Sequence, residues 1–290
     1  MILVVGDLML DVFVLPTLQA PEQRTGLVVK GGGSAANTAA WIAHCGQPVA
    51  FIGCAGRDFQ GRMLVAELGE QGVQPVVSLI PDADTGAVLV ELTDDGEHVM
   101  RSSRGANLAL SPDMLAAPLA DQPRIVHITG YSLLNRYALD LLVAASGVAE
   151  RNNARLSFDP SSVSAVHTLG RRRLLQALAR CGVDVLLPNA AEACALAGTD
   201  DVDRAVADLT KLVPTVLVKL GEHGALTLSG GRLIRVPAVE TRTVDTTGAG
   251  DAFNAGALVA LLEGASVERA CAAGNRVAAL TIAKIGGRPG

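Results

Sequence analysis

The sequence predicts an α/β protein of three αβα layers. A central, mostly parallel sheet is covered by helices on both faces, with a small β-strand lid beside it. Three observations predict this. Short β-rich runs alternate with helical patterns over most of the 290 residues, as in a chain of βαβ units. Apolar residues make up 49% of the chain and aromatics only 3%, so the core is built from Ala, Val, Leu and Ile. Val/Leu strands under alanine-rich helices suit a parallel sheet buried on both faces. Finally, two stretches interrupt the alternation with strands that have no helix between them.

"ILVVG" (Ile2 to Gly6) is the first strand. It lies within "MILVVGDLML", which lacks basic residues ahead of it and a small-residue cleavage site, so it reads as a buried strand and not a signal peptide. "AANTAAWIAHCG" is a helix ending at Gly46, followed by the strand "PVAFIG" and the helix "GRMLVAELGEQG". Further strands are "RIVHITG", "ARLSFDP", "VDVLLPN" and "PTVLVKLG", each closed by Gly, Pro or Asn. Helical segments such as "RRRLLQALARCG" and "DRAVADLTKLV" separate them, and the "RRR" of Arg171 to Arg173 marks a solvated helix face.

The two interrupting stretches are "VFVLP…RTGLVVKGG" and "TGAVLVELTDDGEHVMRSSRG". The second carries a hairpin signal, Asp95 followed by Gly96, between β-rich arms. The expected division is therefore residues 1–10, 31–84 and 105–290 for the α/β core and residues 11–30 and 85–104 for the lid. A β-sheet flap beside a site serves either to close over it or as a contact between two copies.

Charge and cysteines narrow the setting. With 24 basic and 29 acidic residues the net charge is −5, which argues against a nucleic-acid surface. The five cysteines, Cys45, Cys54, Cys181, Cys194 and Cys271, form no C-x-x-C pair and no zinc spacing, as in a reducing, intracellular protein. No apolar run is long enough to span a membrane, so a cytoplasmic location is expected.

The most chemically loaded stretch is "DTTGAGDAF", Asp245 to Phe253, which runs into the apolar helix "NAGALVALLEG". A helix N-terminus presents unpaired N–H groups and the positive end of the dipole, and glycines let an anion approach closely. The amides of Gly248, Ala249, Gly250 and Asp251 therefore form a candidate anion hole. A carboxylate placed there repels phosphate unless it takes a proton from a group attacking that phosphate. Asp251 is thus either a general base or a helix cap, and the local spacing leaves both open.

The whole string resembles the C-terminal signature of the ribokinase-like (PfkB-type) carbohydrate kinases, and the resemblance extends over essentially the entire chain. It implies a Rossmann-like three-layer core with a lid, and an ATP-dependent kinase with Asp251 as base. "GDLMLD" resembles the family's first strand, whose closing Asp, here Asp11, binds sugar hydroxyls. "GGGSAANTA" resembles its di-glycine signature, placing Gly32, Gly33 and Asn37 on the sugar. "GCAGRDFQG" resembles a turn element, with Asp58 near the substrate region. "PNAAEA" resembles the Asn-x-x-Glu element, in which Asn189 and Glu192 act on Mg2+ and phosphate, mostly through water. "VKLGEHGA" resembles the nucleotide turn, with Lys219 reaching phosphate and Gly221 and Gly224 leaving room for the nucleotide. "GNRVAALTIAKIGG" resembles the last helix, with Asn275 near the adenine. Asp245 and Thr247 match positions that hold K+ in members activated by it.

Departures bear on the substrate. Ser34 and Ala35 stand where ribokinase itself has Lys-Gly, so ribose is not secured. Arg276 and the end at "GGRPG" also differ from the common pattern, and suggest a more open nucleotide pocket. The expected activity is transfer of the γ-phosphate of ATP to a hydroxyl of a small sugar or polyol, with Mg2+ and, in K+-dependent members, a monovalent cation. A nucleoside kinase, a phosphosugar kinase using Arg101 and Arg104 of the lid, and a non-catalytic sugar sensor are the alternatives. Family members often pair through the lid, so a homodimer is a further expectation.

Overall fold

The computed structural model describes residues 1–15, 26–92, 98–117 and 119–289. The hairpin expected at Asp95 and Gly96 lies outside the described residues. In chain order the strands begin with β1 (Ile2–Val5), β2 (Met9–Leu15), β3 (Gly26–Gly32), β4 (Val49–Gly56) and β5 (Gln74–Ile80). They continue with β6 (Gly86–Leu92), β7 (His98–Ser103), β8 (Ile125–Thr129), β9 (Arg155–Asp159) and β10 (Val185–Leu186). The last are β11 (Thr215–Lys219), β12 (Ala225–Ser229) and β13 (Arg232–Val236). The helices begin with α1 (Ser34–His44), α2 (Phe59–Glu70), α3 (Leu139–Arg151), α4 (Val163–Leu169) and α5 (Arg171–Arg180). They end with α6 (Ala190–Ala197), α7 (Val202–Leu209), α8 (Ala249–Leu262) and α9 (Val267–Ile282).

Because successive strand residues point to opposite faces, β1 alone feeds both core layers. Leu3 and Val5 join Val126, Ile128 and the buried residues of α3 to α7 on one side. Ile2 and Val4 join Phe51 and the buried residues of α1, α2, α8 and α9 on the other. The large sheet has nine strands in the order β13-β12-β11-β10-β9-β8-β1-β4-β5. The run from β5 to β11 is parallel, and β12 and β13 complete it as antiparallel strands at one edge. This is the predicted three-layer α/β fold.

A second, four-stranded sheet has the order β3-β2-β6-β7. It grows out of the core where β1 is followed almost at once by β2. The "RRR" face of α5 is exposed as expected, with one addition. Arg171 donates from Nε to the Leu196 carbonyl (2.7 Å) and so satisfies the C-terminal end of α6. Asp58 is the N-cap of α2, accepting from Gly61 N–H (2.7 Å) and binding Thr85 through its amide (2.7 Å) and hydroxyl (2.6 Å). Its role is that of a structural turn.

The chain leaves β1 toward β4 and β5, then returns through β8 on the other side of β1. Such a reversal opens a crevice at the carboxyl ends of the strands, where open α/β sheets bind ligands.

Candidate active site

The crevice is a cleft of about 1270 Å³, more than one small ligand fills. Strand ends supply its floor: Asp7 after β1, Tyr131 after β8, Asp159 at the end of β9, Asn189 after β10 and Lys219 at the end of β11. One end is polar and lies under the small sheet, lined by Asp11, Asn37, Val88, Ser102 and Arg104. The other runs along the Gly221–Gly224 turn to an apolar slot formed by Pro237, Val239, Ala278, Ala279 and Ile282. The start of α8 lies between them.

Gly248 caps α8 in the left-handed conformation (φ +74°), and an added Cβ would stand 2.5 Å from Gly287 Cα. Only glycine fits there. The amides of Gly248, Gly250 and Asp251 have no partner among the described residues and remain available to an anion. Ala249 differs from expectation: its N–H closes the preceding turn on the Thr246 carbonyl (3.2 Å), so the hole has three donors and not four.

Asp251 does not serve as the cap. Its Oδ1 accepts from Ser34 Oγ (2.7 Å) and its Oδ2 from Asn37 Nδ2 (3.0 Å), both from α1. Burial raises its pKa to about 7; the two hydrogen bonds oppose this, the Asp159 charge adds to it, and Lys219 opposes it again. A carboxylate balanced near neutrality beside an anion hole is suited to accept a proton. Asp7 positions the helix that holds it. Its carboxylate accepts from Ser34 N–H (3.1 Å) and Ala35 N–H (3.2 Å), and so caps α1 from a distant strand end.

Asp11 is buried and also raised to about 7, chiefly by burial, with Arg288 opposing the rise. Gly32 does not line the cleft; it lies beneath Asp11, and its added Cβ would sit 2.1 Å from the carboxylate. Its contribution is space for Asp11, while Gly33 is at the cleft surface. Arg101 is the clearest departure. It pairs across the small sheet with Leu89, which pairs with Val12, which in turn pairs with Val29, an outward row. Ser102, one residue on, pairs with Val88, which pairs with Asp11, in the row that lines the cleft. The period of two turns Arg101 away, and Arg104 lies in the cleft instead, its Nη2 on the Tyr131 carbonyl (2.7 Å).

Asn189 and Glu192 form a full capping box on α6 while also lining the cleft. Glu192 N–H donates to Asn189 Oδ1 (2.9 Å), and Asn189 N–H to Glu192 Oε2 (2.8 Å). Burial, helped by the Asp159 charge, raises Glu192 to about 7. Lys219 is at the cleft but already paired: Nζ lies 2.7 Å from Asp159 Oδ2 and 3.3 Å from Asn254 Oδ1. Burial alone would lower the lysine, but Asp159 and Glu192 outweigh it and hold it charged. Asn275 lines the slot, yet its Nδ2 donates to the Val236 (3.1 Å) and Pro237 (2.9 Å) carbonyls, so it braces the wall. Asp245 Oδ1 accepts from Thr247 N–H (2.9 Å) and Oγ1 (2.7 Å), and Oδ2 from Gly286 N–H (2.9 Å). Thr247 lies at the cleft, and Asp245 is buried behind it.

Sequence reasoning missed Asp7, Asp159, Asn254 and Arg288, and noted Ser34 only as a departure. Asp159 alone had a local signal, an acid closing a buried strand before Pro160.

The whole chain, residues 1–290, matches the pfkB family of carbohydrate kinases. The chain belongs to this family. A protein of Archaeoglobus fulgidus named as a sugar kinase is 31% identical over 250 residues, covering 86% of this chain and 97% of that protein. A structure from Rhizobium etli CFN 42 described as a "probable sugar kinase" superposes with a TM-score of 0.90 at 27% identity, covering 99% of this chain and 94% of that one. An adenosine kinase from Sinorhizobium meliloti gives a TM-score of 0.88 at 29% identity, covering 99% and 95%. The chain is thus similar to both sugar and nucleoside kinases, and the pfkB match makes it an ATP-dependent kinase.

Proposed function

We propose that this pfkB-family kinase phosphorylates a hydroxyl of a small sugar or polyol, with Asp251 as the general base. The observation that carries this is the placement of Asp251. It sits on the first turn of α8, beside three free amides, clamped by Ser34 and Asn37. The acceptor lies at the polar end, its hydroxyls on Asp11 and Asn37 and its reacting hydroxyl on Asp251. ATP lies along the Gly221–Gly224 turn, with adenine in the slot of Pro237, Val239 and Ile282. The apolar faces of that slot suffice to bury a base.

Asp251 removes the hydroxyl proton as the oxygen attacks the γ-phosphorus in line, and the amides of Gly248, Gly250 and Asp251 hold the charge on the transferring group. Lys219, held charged by Asp159, adds a fixed positive potential behind Gly250, whose added Cβ would lie 3.5 Å from its Nζ. The small sheet acts as the lid that excludes water. The donor set around Glu192 fits a hydrated Mg2+: both its oxygens accept from Asn189, so Glu192 would hold the ion through its water shell. An ion held there would neutralise phosphate charge.

For a monovalent cation the donor set is already engaged, because Thr247 and Gly286 occupy the Asp245 carboxylate. Turnover is expected to be indifferent to replacing K+ with tetramethylammonium; a loss would place a cation at Asp245 and Thr247. Leu27 and Val29 are exposed on the outer row of the lid, which suits pairing with a second copy. Leu27→Lys is expected to give a monomer by sedimentation. Among the described residues no helix is long and apolar enough to cross a membrane, and the five cysteines are free, as suits a reducing, cytoplasmic setting.

The deciding test is a phosphorylation screen of sugars, sugar acids, sugar phosphates and nucleosides with Mg2+ and ATP. Turnover of a neutral sugar or polyol supports the proposal. Turnover confined to nucleosides or phosphosugars moves the substrate class, and binding without turnover makes the protein a sensor.

A further inference from the structure

The end of the chain, which the sequence suggested would leave the nucleotide pocket open, packs under the acceptor end instead. Gly286 N–H is on Asp245, the Gly287 carbonyl accepts from Trp41 Nε1 (2.8 Å), and Arg288 follows, only 6% exposed. Its guanidinium touches three groups at once. Nη1 lies 3.3 Å from Glu67 Oε1, Nη2 donates to the Gly32 carbonyl (2.8 Å), and Nε donates to Asn37 Oδ1 (3.3 Å). Its charge is also the main influence opposing the burial of Asp11. An added Cβ at Gly31 would lie 2.3 Å from Nη1, so the backbone has made room for this group.

A buried arginine is costly unless paired, and one carboxylate, Glu67, would suffice to pair it. The other contacts go to Asn37, read above as binding the acceptor, and to the carbonyl of Gly32, the residue against which the Asp11 carboxylate packs. The contact to Asn37 has a directional effect. A donor on Oδ1 fixes the amide so that Nδ2 faces Asp251, because the reverse orientation would set two N–H groups against each other. We infer that Arg288 is a positioning residue for phosphoryl transfer: it holds the Gly32 backbone against which the Asp11 carboxylate packs, and it orients Asn37 to hold the base Asp251. The inference rests on the acceptor-side reading above.

Two variants separate its parts, each with ATP binding as the check on folding. Arg288→Met removes charge and fork, and is expected to raise acceptor KM about tenfold or more and lower kcat several-fold, with ATP affinity kept. Arg288→Lys keeps a charge for Glu67 and a donor for the Gly32 carbonyl but not the planar fork. It is expected to recover most of the KM and little of the kcat. Unchanged acceptor KM in Arg288→Met overturns the role toward Asp11, and full kcat in Arg288→Lys overturns the role toward Asn37. If Arg288→Met does not bind ATP, Arg288→Lys decides: normal KM with lowered kcat supports the inference, and a wild-type kcat or a loss confined to ATP affinity overturns it. Failure of the underlying reading looks different, because Asp251→Asn would then keep its turnover.

Discussion

The two ends of the cleft, which the proposed function assigns to acceptor and nucleotide, are built differently. The acceptor end is a set of ionisable and amide side chains tied to one another: Asp7 to α1, Ser34 and Asn37 to Asp251, Arg288 to Asn37. The nucleotide end is mostly backbone turn and small apolar side chains, and its amide Asn275 is spent on bracing a loop. Side-chain networks hold groups to a fixed geometry and shift their pKa values, as chemistry requires. A turn and an apolar slot only need the right shape. Substitutions at the acceptor end should therefore change rate and acceptor affinity, and those at the nucleotide end mainly ATP affinity.

The largest expected effect is at the base. Asp251→Asn should lower kcat about a hundredfold or more with acceptor and ATP affinities little changed. Near-normal turnover would remove the base assignment and leave the two ends equivalent. Lys219→Met strips the partner from buried Asp159, and is expected to cost about 3–5 kcal/mol of stability by denaturant unfolding. A loss below 1 kcal/mol would mean the pair is dispensable.

A smaller and more selective effect belongs to Gly32→Ala, whose methyl would meet the Asp11 carboxylate. Acceptor KM should rise about tenfold while ATP affinity holds; a loss of ATP affinity would blur the division between the ends. The pH profile follows from the raised pKa of Asp251, about 7. A base acts only when deprotonated, so kcat/KM should be full above pH 7 and fall about tenfold per unit below it. An acid limb near pH 4 would show that burial does not perturb the group in solution. The smallest effect is expected at Arg101→Ala, less than about twofold in acceptor KM, because that side chain is on the outer row. A large effect would put Arg101 at the acceptor end after all.

Local pattern carried much of this in advance. The alternation of β-rich and helical runs specified the layers, since strand and helix periods are properties of neighbouring residues. The helix start at Gly248, the capping pair Asn189 and Glu192, and Asp251 next to an anion hole are all readable within a few positions, because caps and turns bond over short spans. Arg101 was misplaced because two residues of a strand look alike in composition, and only the register says which faces the cleft.

Side-chain partners belong to another class. Ser34 and Asn37 meet Asp251 across 217 and 214 positions, and Arg288 meets Asn37 across 251. No local rule links them; they meet because α1 and α8 pack on the same face of the sheet and the chain end threads between α1 and the lid. The sequence alone specified the fold class and, at the strand ends, Asn189 and Lys219, but not Asp7 or Asp159. Which carboxylate is clamped, which lysine is already paired and where the last arginine goes depended on packing, since burial and long-range hydrogen bonds exist only once the layers have closed.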